Sequence, residues 1–144
     1  MKCAEQNVAE ASDQAKESVI RFRTGLLGFE QVKNYLLLAD PGEAPFAWLQ
    51  MTEQPRLSFL VVPPTYVAES YQPDLADEDV EALELHGPDD ALVLNIVTLH
   101  NDGKATVNLK GPIVINRHTL AAKQVVPRNV ADFSLQHPLP VALA

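Results

Sequence analysis

The sequence is poor in residues that form covalent cross-links or bind metal ions. Cys3 is the only cysteine among 144 residues, which excludes an intramolecular disulfide and a cysteine-rich metal site. The four histidines are scattered, and no two of them have the spacing of a metal site on a helix face; they are His86, His100, His118 and His137. We therefore expect neither a metal ion nor another cofactor.

Long apolar segments are missing as well. The run Ala91 to Leu99 is interrupted by Asn95 and Thr98, whereas a membrane-spanning helix needs about 18 or more apolar residues. The start of the chain turns polar and acidic at once, so it has no apolar signal-peptide core. We expect a cytoplasmic protein without a transmembrane segment.

Basic residues are few, with 11 Lys and Arg against 19 Asp and Glu, and the formal net charge is -8. Direct binding to nucleic acid is disfavoured, because the phosphate backbone rewards basic patches. An acidic surface favours a basic protein partner, although the commoner consequence of such a charge is solubility.

Motifs of catalysis are absent too. The six glycines form neither of the common phosphate-binding patterns. Ser134 and His137 are three residues apart, but no acid or nucleophile elbow accompanies them. We expect a protein without enzymatic activity, and an unrecognised hydrolase is a competing interpretation.

What the chain does contain is a series of short apolar segments separated by turn signals such as Asp40-Pro41-Gly42 and Asn101-Asp102-Gly103. Ile20 and Phe22 alternate with two arginines, as in a strand with one buried face. Further strands are predicted at Tyr35 to Ala39, Phe46 to Met51, Leu57 to Val62, Ala91 to Leu99, Ala105 to Leu109, Ile113 to Asn116 and Ala122 to Val126.

One short helix is predicted from Asp77 to Leu85, since acids fill its first turn and Gly87-Pro88 follows it. The fold class is therefore all-β: a small closed or partly closed barrel or roll of seven or eight short, mostly antiparallel strands with one short helix. Residues 18–144 form one domain. Residues 1–17 form a flexible segment, because Val8 is their only large apolar residue after Met1.

Two groups of residues are candidates for binding a partner. The first is acidic and predicts a docking patch for a basic protein, although a solvated helix face is the more common meaning of such a pattern; it comprises Asp74, Asp77, Glu78, Asp79, Glu81 and Glu84. Paired catalytic carboxylates or a calcium loop are poorly supported, because a nucleophile and the calcium-loop pattern are absent.

The second group is the aromatic pair Tyr66 and Tyr71. Both lie in a segment of low strand propensity flanked by prolines, so we expect them to be exposed, and exposed aromatic residues often anchor interfaces. The other aromatic residues are expected to pack in the core; they are Phe22, Phe29, Phe46, Trp48 and Phe59.

Six segments, in this order along the chain, carry a resemblance to the FliW family of bacterial flagellar assembly factors. They are Gly25-Leu26-Leu27-Gly28-Phe29-Glu30, Pro45-Phe46-Ala47-Trp48-Leu49-Gln50, Phe59-Leu60-Val61-Val62-Pro63, Val93-Leu94-Asn95-Ile96-Val97-Thr98, Asn108-Leu109-Lys110-Gly111-Pro112-Ile113-Val114-Ile115-Asn116 and Gln124-Val125-Val126. The chain departs from the usual family pattern at Leu27, Gly111 and Phe133, and its start lacks the glycine-containing first strand of the family.

The resemblance implies a β-barrel-like, non-enzymatic protein that binds flagellin and the RNA-binding translational repressor CsrA. We expect the protein to be monomeric when free. Its structural motif residues are Gly25, Gly28, Phe29, Phe46, Trp48, Gln50, Asn108, Pro112 and Asn116. A competing interpretation is a ligand-binding barrel, for which Asn95, Asn108 and Asn116 are the only inward polar candidates. We expect these amides instead to cap turns and strand ends.

Overall fold

The computed structural model describes residues 16–53, 57–67 and 70–139, which contain nine strands and one α-helix. The strands are β1 (Lys16–Phe22), β2 (Asn34–Ala39), β3 (Ala47–Met51), β4 (Ser58–Val62), β5 (Ala91–Leu99), β6 (Ala105–Val107), β7 (Ile113–Asn116), β8 (Ala121–Gln124) and β9 (His137–Pro138), and the helix is α1 (Asp77–Ala82).

Seven of the strands close a mixed barrel in the order β1, β2, β3, β4, β5, β7, β8. Neighbouring strands are antiparallel except at the closure, where β8 runs parallel to β1 and pairs Arg21 with Ala121 and Phe22 with Ala122. β6 pairs with the second half of β5, and β9 pairs with β6. The predicted all-β barrel with one short helix is confirmed.

Three clusters of buried side chains hold this architecture together. The inner cluster fills the barrel and comprises Ile20, Phe22, Leu26, Tyr35, Leu49, Met51, Val61, Leu94, Ile113, Ile115 and Ala122. The helix cluster lies outside the barrel wall and comprises Leu75, Leu83, Leu85, Ala91, Val93, Val114 and Val125. The rim cluster comprises Val62, Tyr71, Val97, Ala105, Val107, Leu109 and Leu139.

β5 is shared by all three clusters because successive side chains of a strand point to opposite faces. Leu94 points into the barrel, Val93 belongs to the helix cluster and Val97 belongs to the rim cluster. This explains why β5 carries apolar residues on both faces. The sequence shows this pattern, but it does not indicate which side chains pack against each face.

Aromatic rings form much of the barrel interior. The rings of Phe22 and Tyr35 meet edge to face at 5.1 Å, and those of Phe29 and Phe59 at 5.3 Å. The Tyr35 side chain is fully buried, and within the described chain its hydroxyl has no hydrogen-bond partner. Burial raises the pKa of this Tyr35 hydroxyl. The interior is thus packed with side chains.

Several predicted boundaries were wrong. β1 begins at Lys16, so residues 16 and 17 pair with β2 instead of belonging to a flexible segment; the expectation for residues 1–15 lies outside the described residues. α1 ends at Ala82 because Glu84 has a positive φ of 55°, which is incompatible with a continuing helix. β9 was not predicted, since it consists of only two residues.

Candidate protein interaction surfaces

α1 lies on the outside of the barrel, against β5, β7 and β8. Leu83 and Leu85, just after the helix, pack on Val93 and Val114 in the helix cluster. Asn116, the last residue of β7, holds the C-terminal end of α1 in place, because its Nδ2 donates to the Leu83 carbonyl at 2.8 Å. A six-residue helix is marginal alone, so these contacts hold it in place.

Asp79 does not face solvent, contrary to the prediction for the acidic segment. It is buried, with 5% of its surface exposed, and its carboxylate forms an ion pair with Lys123 of β8. A buried carboxylate needs a paired cation, because its desolvation is costly. Asp79 therefore anchors α1 to the barrel and cannot serve as an exposed docking residue.

The neighbouring acids are also partly engaged. The Asp77 carboxylate lies 3.2 Å from the Arg128 guanidinium. Asp74 is half-buried, its N–H donates to Asn129 Oδ1 at 2.9 Å, and its carbonyl accepts from the Arg128 N–H at 2.7 Å. The three remaining acids are exposed, and we call them the acidic face: Glu78, Glu81 and Glu84.

Tyr71 was expected to be exposed, and this is wrong. Only 6% of its surface is exposed, its ring meets the Phe133 ring at 4.6 Å, and its hydroxyl donates to the Leu109 carbonyl at 2.7 Å. Asn95 Nδ2 donates to the Asn108 carbonyl at 2.9 Å and lies 3.4 Å from the Tyr71 hydroxyl. Tyr71 thus belongs to the polar centre of the rim cluster.

Tyr66 is exposed, with 38% of its surface accessible, and lies in a short 3-10 turn after β4. Its ring packs edge to face on Phe46 at 5.6 Å. Because Phe46 packs against the rim cluster whereas α1 packs against the helix cluster, Tyr66 and the acidic face belong to different parts of the barrel wall. The structure does not gather the two candidate groups into one patch.

Trp48 was expected in the core and is instead 37% exposed. Leu49 and Met51 of the same strand fill the barrel, so Trp48 and Gln50 point outward. Its neighbours Leu36, Leu38 and Val19 also point outward, and the sequence interpretation did not single them out. Side chains alternate along β1, and Ile20 and Phe22 point inward. This alternation was the signal in the sequence that could have placed Val19 on the outer face.

The motif residues between β1 and β2 form a rigid turn. Gly25 has a φ of 73°, and a Cβ there would lie 2.7 Å from the Glu30 backbone, so only glycine fits. Gly28 also has a positive φ, and its N–H donates to the Glu30 carboxylate at 3.0 Å. This bond lowers the pKa of Glu30. The Leu27 N–H donates to Gln124 Oε1 at 3.0 Å, which ties the turn to β8.

The motif asparagines cap turns, as expected. Asn108 Oδ1 accepts from the N–H groups of Lys110 and Gly111, at 2.9 and 3.1 Å, just before the buried Pro112. Asn116 Oδ1 accepts from the His118 N–H at 2.8 Å. Asn95 and Asn116 lie outside the barrel wall, in line with Val93 and Val114, so they line no ligand cavity inside it.

Neither a metal centre nor a membrane-spanning helix is found in the described part of the chain. Residues 16–53, 57–67 and 70–139 contain no group of three or more His, Cys, Asp or Glu side chains that could hold a metal ion. None of the helices in these ranges is long and apolar enough to cross a membrane.

Comparison with known proteins gives one consistent answer. A family model described as FliW protein matches residues 4–139. The flagellar assembly factor FliW of Natranaerobius thermophilus is 39% identical over 126 residues, covering 86% of this chain and 83% of that protein. The corresponding protein of Geobacter sulfurreducens is 36% identical over 129 residues, covering 89% and 79%.

A solved structure agrees with these relatives. The crystal structure of a flagellar assembly factor FliW superposes with a TM-score of 0.74 at 30% sequence identity, covering 96% of each chain. The family model, the relatives and the solved structure each cover most of this chain, and this chain belongs to the FliW family.

Proposed function

We propose that this chain is a non-catalytic, cytoplasmic regulator that binds flagellin and the RNA-binding translational repressor CsrA. Binding to CsrA prevents it from repressing flagellin translation, and free flagellin releases CsrA by occupying the FliW-like protein. Thermodynamically this is a partner switch, which requires that each partner lowers the affinity for the other. The protein is monomeric when free.

The observation that supports a basic partner is the acidic face. Glu78, Glu81 and Glu84 remain exposed after Asp77 and Asp79 have taken their ion-pair partners. α1 is fixed to the barrel at both ends, so these three charges have a defined position. Negative potential steers the approach of a basic surface, and its effect is screened by salt. We therefore place CsrA at α1.

Binding is tested first with purified proteins. Flagellin and CsrA from the same organism, each titrated into this protein in a calorimeter at roughly 10 μM, should each give a saturable, stoichiometric complex, since regulatory complexes are commonly in the micromolar range or tighter. Preloading with flagellin should weaken the apparent affinity for CsrA. Absence of heat and of co-elution with both partners would contradict the proposed function.

The position of CsrA is tested by charge reversal. The double substitution Glu78→Lys and Glu81→Lys should slow association with CsrA and flatten its dependence on salt, while flagellin binding stays unchanged. The control is Glu43→Lys with Glu53→Lys, which makes the same change in net charge at exposed sites elsewhere. Equal association rates for both double variants would remove α1 from the CsrA interface.

A further inference from the structure

An apolar patch lies on the outer wall of the barrel, on the first three strands. We call it the β1–β3 face: Val19, Leu36, Leu38 and Trp48. The register places Val19 beside Leu36 and Leu38 beside Trp48. Val19 is 49% exposed and Trp48 37% exposed, and the two leucines are half-buried. Side chains directly opposite on neighbouring strands are about 5 Å apart, so the patch is continuous.

Polar residues border most of the patch, and on the remaining side Trp48 pairs with the half-buried Leu60 of β4, which packs against the rim cluster. Gln50 is the register partner of Leu36, and Asn34 is the partner of Arg21. Glu17 stands beside Leu38 at one end, and Arg21 closes the other end. An aromatic residue in an apolar centre, surrounded by polar groups, is the usual arrangement of binding hot spots.

The dimensions of the patch fit one helix. Three strands span about 10 Å at ~4.8 Å between neighbours, which is the width of a single α-helix with its side chains. Glu17 and Arg21 are four residues apart on β1, or about 13 Å. Along a helix the same distance corresponds to roughly nine residues.

Charge sets the direction of that helix. Among the described residues, neither Glu17 nor Arg21 has an ion-pair partner. The two charges cancel, so this face is locally neutral in a chain of net charge -8, and it offers no attraction to a strongly basic protein such as the partner placed at α1. It suits an apolar segment with a basic residue at the Glu17 end and an acidic residue at the Arg21 end.

We propose that the β1–β3 face binds an amphipathic helix of flagellin, with one side of about nine residues packed over Leu38 and Trp48 and charged residues facing Glu17 and Arg21. This inference rests on the proposed function. It assigns flagellin and CsrA to different strands of the barrel wall, which adjoin where β1 pairs with β8. A few apolar anchors supply affinity and flanking charges fix orientation, as in other complexes in which an amphipathic helix packs its apolar side on a hydrophobic surface.

Trp48 is the only tryptophan of the chain, so it reports directly on this face. Fluorinated tryptophan incorporated into the full-length protein gives one fluorine NMR signal. That signal should move when flagellin monomer from the same organism is added and should stay in place when CsrA is added. A shift caused by CsrA, or by raising the concentration of the protein alone, would identify a different occupant and overturn the proposal.

Substitutions test the contacts themselves. Leu38→Asp should weaken flagellin binding at least about tenfold, as loss of a hot-spot anchor does, while Leu57→Asp, which changes another exposed leucine outside the face, should not. Glu17→Lys, at an exposed position that does not endanger the fold, should weaken binding a few-fold, and Glu53→Lys should have no effect.

The outcomes separate the two proposals. In one outcome, flagellin binds, but the fluorine signal does not move and the variants Leu38→Asp and Glu17→Lys bind flagellin with unchanged affinity. This outcome overturns the assignment of this face and leaves the proposed function intact. Absence of any flagellin complex in calorimetry and co-elution overturns the proposed function and this assignment together.

Discussion

Two tyrosines that are close in the sequence have opposite environments in this fold. Tyr66 and Tyr71 lie five positions apart, yet Tyr66 is exposed and Tyr71 is buried with its hydroxyl bonded to the Leu109 carbonyl. Composition could not separate them, because what buries Tyr71 is the late segment around Phe133 and Leu139. A residue's environment here depends on partners more than sixty positions away.

Tyr71→Phe should destabilise the protein by about 1–3 kcal/mol, since it leaves the buried Leu109 carbonyl and the Asn95 amide without the hydroxyl. Tyr66→Phe removes an exposed hydroxyl and should change the free energy of unfolding by less than about 0.5 kcal/mol. Urea denaturation of the two variants measures the difference. Equal stability would mean that the Tyr71 hydroxyl bond contributes nothing.

Gly25→Ala should cost about 2 kcal/mol or more, because the new Cβ meets the Glu30 backbone at 2.7 Å and the φ of 73° disfavours any L side chain. Gly87→Ala is the control: its φ is -172°, and no atom lies within 4 Å of the added Cβ. Its stability should be that of the parent or slightly higher. Thermal unfolding followed by circular dichroism checks both, and similar melting temperatures would contradict the strained turn.

At the level of elements, strands were easier to predict than their faces. Eight strands follow from apolar segments between turn signals, and β5 and β7 have the predicted bounds. The side of β3 that faces inward was not predictable, because large apolar residues occur on both sides: Leu49 and Met51 on one, and Trp48, together with Phe46 just before the strand, on the other. Only the barrel closure decides which set is buried.

For the helix, too, the sequence predicted the element but not which of its side chains are buried. The sequence located α1 from its acidic first turn, but it could not indicate that one acid, Asp79, turns inward to meet Lys123. These residues are 44 positions apart, and nothing local distinguishes Asp79 from Glu78 or Glu81. The candidate site was therefore predicted as a segment, while the division of its charges between anchoring and exposure came from the fold.

Lys123→Met should destabilise the protein by about 2–3 kcal/mol, because it leaves the buried Asp79 carboxylate unpaired. The expected loss of stability is smaller than that for breaking a fully buried ion pair, since the Lys123 side chain is 26% exposed. Arg128→Met breaks the exposed pair with Asp77 and should cost no more than about 1 kcal/mol. Chemical denaturation distinguishes them; a smaller loss for Lys123→Met than for Arg128→Met would show that α1 is not held by Asp79.

At the scale of the whole molecule, the two proposed binding surfaces occupy different strands of one closed barrel wall. The acidic face lies over β5, β7 and β8, whereas the β1–β3 face lies on the first three strands. The two surfaces share no residue, but they adjoin at the seam between β1 and β8, where Arg21 pairs with Ala121 beside the helix cluster. Exclusion of one partner by the other has to come from the bulk of the partners or from coupling through the barrel.

Deleting residues 1–15 should shift the melting temperature by no more than about 2 °C, because a segment with so little apolar surface adds well under 1 kcal/mol. Deleting residues 1–19 should lower it strongly, since four register pairs between β1 and β2 are then lost, from Lys16 to Val19. Calorimetric scans of the two truncations provide the measurement. A large effect of the shorter deletion would show that the start of the chain supplies part of the barrel.

The seam between β1 and β8 consists of two register pairs and joins residues about a hundred positions apart, Arg21 to Ala121 and Phe22 to Ala122. Contacts of such large sequence separation form late and slowly. During synthesis, β1 has an unpaired edge until residues 121–124 have left the ribosome, and open edges invite aggregation. The nascent chain thus carries this open edge through most of its synthesis, and the barrel closes only when β8 has been made.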